Sequence, residues 1–288
     1  MRQINLKAYA KINLGLDVLR RREDGYHDVR MIMQNVSLYD KLTLKKISKD
    51  EIQLSSNVGA LPNNEKNLVY KAISLIKEEC GVKGGVKAEL EKMIPMAAGM
   101  AGGSTDAAAA LIGMNKLFDL KLTTELLMEL GVKIGADVPY CVLGGTALSE
   151  GIGEILTPLK PMPHCYILIA KPRISVSTRF VYENLEADKL AYHPDIDGML
   201  EAIDSGDLQG ITDRLSNVLE TVTEKKYPII GQIKAAMMEA GAMNSLMSGS
   251  GPTVFGIYAD KATAMKALEK VREIEMVKNS YVVEPYQP

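Results

Sequence analysis

Six segments in the second half of the chain constrain its architecture more than any other feature. "YILIAK" (166–171), "AMNSLM" (242–247), "TVFGIY" (253–258) and "SYVVE" (280–284) are short apolar runs that read as strands. "IIGQIKAAMMEA" (229–240) and "KATAMKALEKV" (261–271) carry helical periodicity, and Gly241 ends the first of them. The order is β-α-β-β-α-β, the split βαβ or ferredoxin-like pattern, with a helical insertion around 178–225. Three prolines in "LTPLKPMPHC" (156–165) mark the expected boundary, giving domains 1–158 and 159–288.

The first domain mixes strands and helices, so the expected class is α+β. "INLKAYAKINLGLDVL" (4–19) alternates, with Ala8, Ala10, Ile12, Leu14, Leu16 and Val18 on one side. Period two predicts a strand with one buried face and places Lys11 and Asn13 together on the polar face. Shorter strands are expected at 41–47 and 51–55, then an amphipathic helix at 67–80 stopped by Gly81. A strand at 85–92 leads into helices near 104–118 and 123–130, followed by the turn-rich segment 135–154.

Composition narrows the function classes. With 47% hydrophobic and 24% charged residues over 288 positions, the chain has enough apolar content for one large core or two ordinary ones. A net charge of -2 argues against a nucleic-acid or anionic-lipid partner. No run of about 18 apolar residues is present to span a membrane, and "MRQINLKAYA" lacks the apolar core of a secretory leader. Cys80, Cys141 and Cys165 are odd in number and lack CxxC spacing, which predicts reduced, buried thiols in a cytoplasmic protein. His27, His164 and His193 are too scattered to argue a zinc site.

Four stretches carry candidate chemistry, each beside a plainer alternative. In "IPMAAGMAGGSTDAAAAL" (94–111), glycines let backbone N–H groups approach an anion, and a helix capped by Ser104, Thr105 or Asp106 would point its positive end at the loop. The segment fits neither GxxxxGK[ST] nor GxGxxG, and a capped helix after a glycine turn explains it equally. Asp137 in "GADVPY" either caps a helix or acts as a general base steadied by a lysine such as Lys11; an isolated strand lysine is otherwise solvated surface. Tyr26 and His27 in "REDGYHDV" (22–29) either line a loop or stack on and hydrogen-bond a planar ligand. "MSGSGPTVF" (247–255) is a hairpin that could add backbone donors.

Together with "AKINLGLDV" (10–18) and "GADVPYCVLGGTAL" (135–148), these stretches resemble the GHMP kinase superfamily and span nearly the whole chain in its order. The resemblance implies a two-domain fold: an N-terminal ribosomal protein S5 domain 2-like ATP-binding domain, containing a left-handed crossover, and a C-terminal ferredoxin-like domain. It implies an ATP-dependent kinase, with magnesium, acting on a small cytidylyl sugar alcohol, as a monomer or homodimer. Lys11 and Asp137 match the catalytic pair. The loop of Pro95, Met96, Ala97, Ala98, Gly99, Met100, Ala101, Gly102, Gly103, Ser104 and Thr105 matches the ATP loop, and Asn67 lies near the adenine by family position. Asn13, Tyr26, His27, Gly249 and Ser250 match substrate positions, with His27 reading the cytosine edge and Tyr182, or else Phe180, stacking on the base. Metal ligands stay unassigned. Alanines at 97, 98 and 101 replace part of the usual glycine, and alanine resists positive φ.

Overall fold

The alternating segment is strand β1 (Gln3–Arg21) in the computed structural model, which describes residues 1–288. Its apolar face is buried as expected, but Lys11, Asn13 and Asp17 on the other face are buried too. The expectation of a single buried face is therefore corrected: the polar side of β1 is covered by protein. Strand β2 (His27–Ile47) extends well before the expected 41–47. Every residue from Met31 to Val36 is buried, and "MIMQNV" carries no alternation of apolar and polar types to mark it as a strand.

Next come β3 (Ile52–Ser56), α1 (Leu68–Glu79) and β4 (Gly85–Glu91). Asn67 caps α1 by accepting from the Val69 amide at 2.9 Å, and Gly81 stops it at φ +60°. Helix α2 (Gly102–Phe118) begins earlier than expected, and Ser104, Thr105 and Asp106 lie inside it rather than capping it. Ala101 holds the cap position in the left-handed region at φ +54°, with no side-chain cap. Helices α3 (Thr124–Val132) and α4 (Val138–Leu143) and strands β5 (Thr146–Glu150) and β6 (Ile155–Pro158) complete this half.

The second half opens with β7 (Tyr166–Pro172). Helices α5 (Thr178–Glu183), α6 (Ile196–Ser205) and α7 (Leu208–Asp213), strand β8 (Ser216–Asn217) and helix α8 (Glu220–Lys226) form the expected insertion. Then follow α9 (Ile229–Glu239), β9 (Asn244–Met247), β10 (Val254–Tyr258), α10 (Lys261–Arg272) and β11 (Val277–Val283). The strands pair antiparallel in the order β11-β7-β10-β9, which is the expected βαββαβ sheet.

The chain forms two compact units that interleave in sequence. The first holds residues 1–10, 38–96 and 101–143. In it β4 pairs with the end of β2 and, in parallel, with β3, and Ile73, Ile76, Leu90 and the alanines of α2 fill one core. The second holds 11–37, 97–100 and 144–288. In it β5 pairs with β2, β8 runs parallel beside β1, and the four-stranded sheet carries α9 and α10.

Candidate active site

Within the second unit, the buried polar face of β1 is held in place by its own side chains. The Lys11 ammonium donates to Asn13 Oδ1 at 2.7 Å, and Asn13 Nδ2 points at Met31 Sδ at 3.3 Å. Lys11 is 5% exposed and Asn13 fully buried, so this is not a solvated surface lysine. The Lys11 amide also bonds the Met100 carbonyl at 3.3 Å, which fixes residues 97–100 against the strand.

The same four residues lie on the 248–251 hairpin. Ser248 Oγ donates to the Gly99 carbonyl at 2.9 Å, and a Cβ on Gly99 would lie 2.3 Å from the Ser248 carbonyl oxygen. Gly249 packs on the same loop with a little more room, since a Cβ there would meet the Gly99 carbonyl at 3.3 Å and Asn13 Oδ1 at 3.5 Å. The hairpin is splinted by Asn217, which lies in none of the four stretches singled out above. Its Nδ2 donates to the Met247 and Gly249 carbonyls, each at 2.8 Å, and its Oδ1 accepts from the Leu219 amide at 3.0 Å. Ser250 shares a hydroxyl bond of 2.9 Å with Thr178 at the start of α5.

Four residues further along α5, one helical turn, Tyr182 meets His27. Their ring centroids are 5.1 Å apart and tilted by 43°. Burial, with the Arg21 charge adding to it, lowers the His27 pKa and favours the neutral ring, which can both donate and accept a hydrogen bond. Phe180 faces a different neighbour, the Lys226 ammonium 3.4 Å from its ring centre. Tyr26 is largely exposed at the tip of the β1–β2 turn, which Asp24 closes by accepting from the Tyr26 amide at 3.0 Å.

Within the first unit, α2 offers its N-terminus without a side-chain cap, so the amides of its first turn are available to an anion. Thr105 is engaged elsewhere, donating to the Tyr9 carbonyl at 2.8 Å. Asn67 uses both ends of its amide locally, in the α1 cap and in a 2.9 Å bond to the Pro62 carbonyl. Asp137 is half-buried directly before α4 and starts that helix through its backbone carbonyl, which accepts from Cys141 at 3.1 Å. Behind the first turn of α2 lies a buried group the sequence did not reveal. Lys92 bonds Asp40, Asp106 Oδ2 (2.7 Å) and the Gly102 carbonyl (3.2 Å). Buried polar residues of this kind carry no periodic signal. Cys165 is buried with its thiol pushed up to about 12 by burial, whereas Cys80 and Cys141 are only half-buried, against expectation.

Models of the GHMP kinases N terminal domain and the GHMP kinases C terminal match residues 67–145 and 199–275. The 4-diphosphocytidyl-2-C-methyl-D-erythritol kinase of Lachnospira eligens is 54% identical over 288 residues, covering 100% of both chains. The chain belongs to the GHMP kinase family. A crystal structure of 4-(cytidine 5'-diphospho)-2C-methyl-D-erythritol kinase superposes with a TM-score of 0.85 at 32% identity, covering 99% of this chain and 100% of that one. The homoserine kinase of Cytophaga hutchinsonii, at TM-score 0.79 and 22% identity, covers 98% of this chain and 94% of its own and shares the fold. As a GHMP kinase, the chain is an ATP-dependent phosphotransferase. No helix in it is long and apolar enough to cross a membrane.

Proposed function

We propose that the chain transfers the γ-phosphoryl group of ATP to the 2-hydroxyl of 4-diphosphocytidyl-2-C-methyl-D-erythritol, releasing ADP. This step belongs to the non-mevalonate route to isoprenoid precursors. The observation that carries the substrate is the His27–Tyr182 pair, in the same unit as Lys11 and Asn13. A neutral imidazole and a tyrosine ring suit the edge and face of a cytosine, and neither homoserine nor mevalonate offers a base to read. Tyr182 is preferred to Phe180 because Lys226 already covers the Phe180 ring. Tyr26, with its ring largely exposed, is free to close on the base from solvent.

In this reading Asp137 orients the 2-hydroxyl and accepts its proton as the oxygen attacks the γ-phosphorus. Lys11, steered by Asn13, stabilises the negative charge on the transferring group. The amides of Pro95–Thr105 cradle the phosphates, with the uncapped start of α2 as the anion-binding end. Gly249 and Ser250 wall the substrate, and Asn67 enters by family position alone. A magnesium ion accompanying ATP would be held chiefly by the nucleotide's own phosphates, as is usual for this ion. When bound, magnesium neutralises phosphate charge. The three free cysteines accord with a reducing, cytoplasmic setting. We retain 158/159 as the boundary between the two family modules, which flank it.

ADP release measured with the cytidylyl substrate, homoserine and mevalonate tests the reading, with turnover expected for the first alone. Asp137→Asn is expected to lower kcat by about 10²–10⁴ while ADP binding persists. Equal turnover of homoserine, or near-normal turnover by the variant, would overturn the substrate or the base respectively.

A further inference from the structure

The loop between β4 and α2 has two stems, Lys92–Ile94 and Gly102–Asp106, and one buried group joins them. Lys92 Nζ reaches forward to α2, bonding Asp106 Oδ2 at 2.7 Å and the Gly102 carbonyl at 3.2 Å. It also pairs with Asp40 on β2. The other oxygen of Asp40 accepts from the Met93 amide and, at 2.8 Å, from the Ile94 amide. One carboxylate therefore holds the outgoing stem, one ammonium holds the incoming stem, and the two are paired. Asp40 and Asp106 are 0% and 3% exposed, and Gly102 lies so close that a Cβ would meet Lys92 Nζ at 3.3 Å.

We propose that Lys92 is a positioning residue for nucleotide binding, acting with Asp40 and Asp106 as a staple that closes the stems of the phosphate loop. The lysine absent from the loop itself is thus replaced by one behind it, which touches the first turn of α2 instead of the phosphate. A lysine point charge suits this place, because its three donors can serve two carboxylates and a carbonyl at once. Holding the first turn of α2 fixes the direction of its free amides, which is where a triphosphate gains most from preorganisation. Asp106 fits the same role. Burial, offset by Lys92 and reinforced by Asp40, raises its pKa well above the ordinary carboxylate value, and its Oδ1 is buried without a partner.

The inference rests on the reading of residues 95–105 as the ATP loop, and its test separates the two. Lys92→Met is expected to raise KM for ATP at least about tenfold, with KM for the cytidylyl substrate within about twofold. Because that variant leaves two buried carboxyls without their cation, Asp106→Leu and Asp106→Asn are measured beside it. Asp106→Leu removes the acceptor and is expected to raise KM for ATP in the same way. Asp106→Asn keeps an oxygen for Lys92 and is expected to stay within about threefold of the parent. Folded Asp106→Leu protein with an unchanged KM for ATP, or a loss by Asp106→Asn equal to that by Asp106→Leu, would overturn the staple. If Gly99→Ala raises KM for ATP while the Asp106 variants do not, the staple alone fails. If none of them changes it, the loop reading fails first.

Discussion

Gly99 and Ala101 sit two residues apart in the same loop and use the left-handed region for opposite reasons. At Gly99, φ is +70° and a Cβ would lie 2.3 Å from a backbone oxygen, so no side-chain rotation can make room. Gly99→Ala is expected to cost roughly 2–4 kcal/mol, read from a urea midpoint. Ala101 reaches φ +54° with its Cβ present, as does Ala97 at +48°. Left-handed alanine costs roughly 1–2 kcal/mol, so Ala101→Gly should leave stability equal or higher despite the added freedom of its unfolded chain. A clear drop in melting temperature would contradict that geometry. His27 gives the pH-dependent case. Its folded pKa lies below the ordinary histidine value because burial disfavours the charged ring. The unfolded state then binds the proton more readily, so the contribution is full above about pH 6.5 and is lost as pH falls through and below that value. A pH series of unfolding midpoints should fall less steeply on the acid side for His27→Gln than for the parent. At this scale the sequence indicated Lys11, Asn13 and His27 as residue types in a pattern. It was silent on the burial that turns Lys11 from a surface charge into a fixed one, since that depends on what covers the second face of β1.

Elements were legible where apolar and polar residue types follow a period and illegible where they do not. The period-two run of β1 was readable because apolar and polar residue types alternate along it, although residues 10–18 are all buried, and α1 was readable because one face of it is buried. The Met31–Val36 part of β2 was not, because its three leading apolar residues and the Gln-Asn pair follow no period of two. The start of α2 was misplaced for another reason. Ser, Thr and Asp stand where a capping side chain is usual, yet Thr105 bonds Tyr9 and Asp106 bonds Lys92, and the backbone turns at Ala101 instead. An element-scale prediction follows from β8, only two residues long. Asn217 within it satisfies two hairpin carbonyls and one amide, all in a buried setting. Asn217→Ala would strand those three groups and is expected to cost roughly 2–4 kcal/mol. Hydrogen exchange should show the Ser248–Gly251 amides losing protection before those of β7. Uniform loss across the four-stranded sheet would show that the hairpin is held by the sheet and not by the splint.

For the whole molecule, the C-terminal order of elements foretold its sheet because each strand there is short, apolar and separated by a recognisable turn or helix. The interleaving of the two compact units was not foretold, since β1 and β2 each contribute residues to both and no composition shift marks that division. Binding is the property through which a local site reports on the entire fold. A ligand that binds only the folded chain stabilises it by about 2.7 kcal/mol at a hundred times its dissociation constant. CDP carries the cytosine but no acceptor hydroxyl, so it isolates recognition of the base from phosphoryl transfer. CDP should therefore raise the melting temperature of the parent through the His27–Tyr182 pair, and the rise should be lost in Tyr182→Ala. The rise given by ADP should survive the same substitution, because Tyr182 lies outside the residues assigned to the phosphates. A loss of both shifts together would mean that Tyr182 acts through the fold, while an unaltered response to CDP would move the stacking role to another ring, with Tyr26 the first to examine.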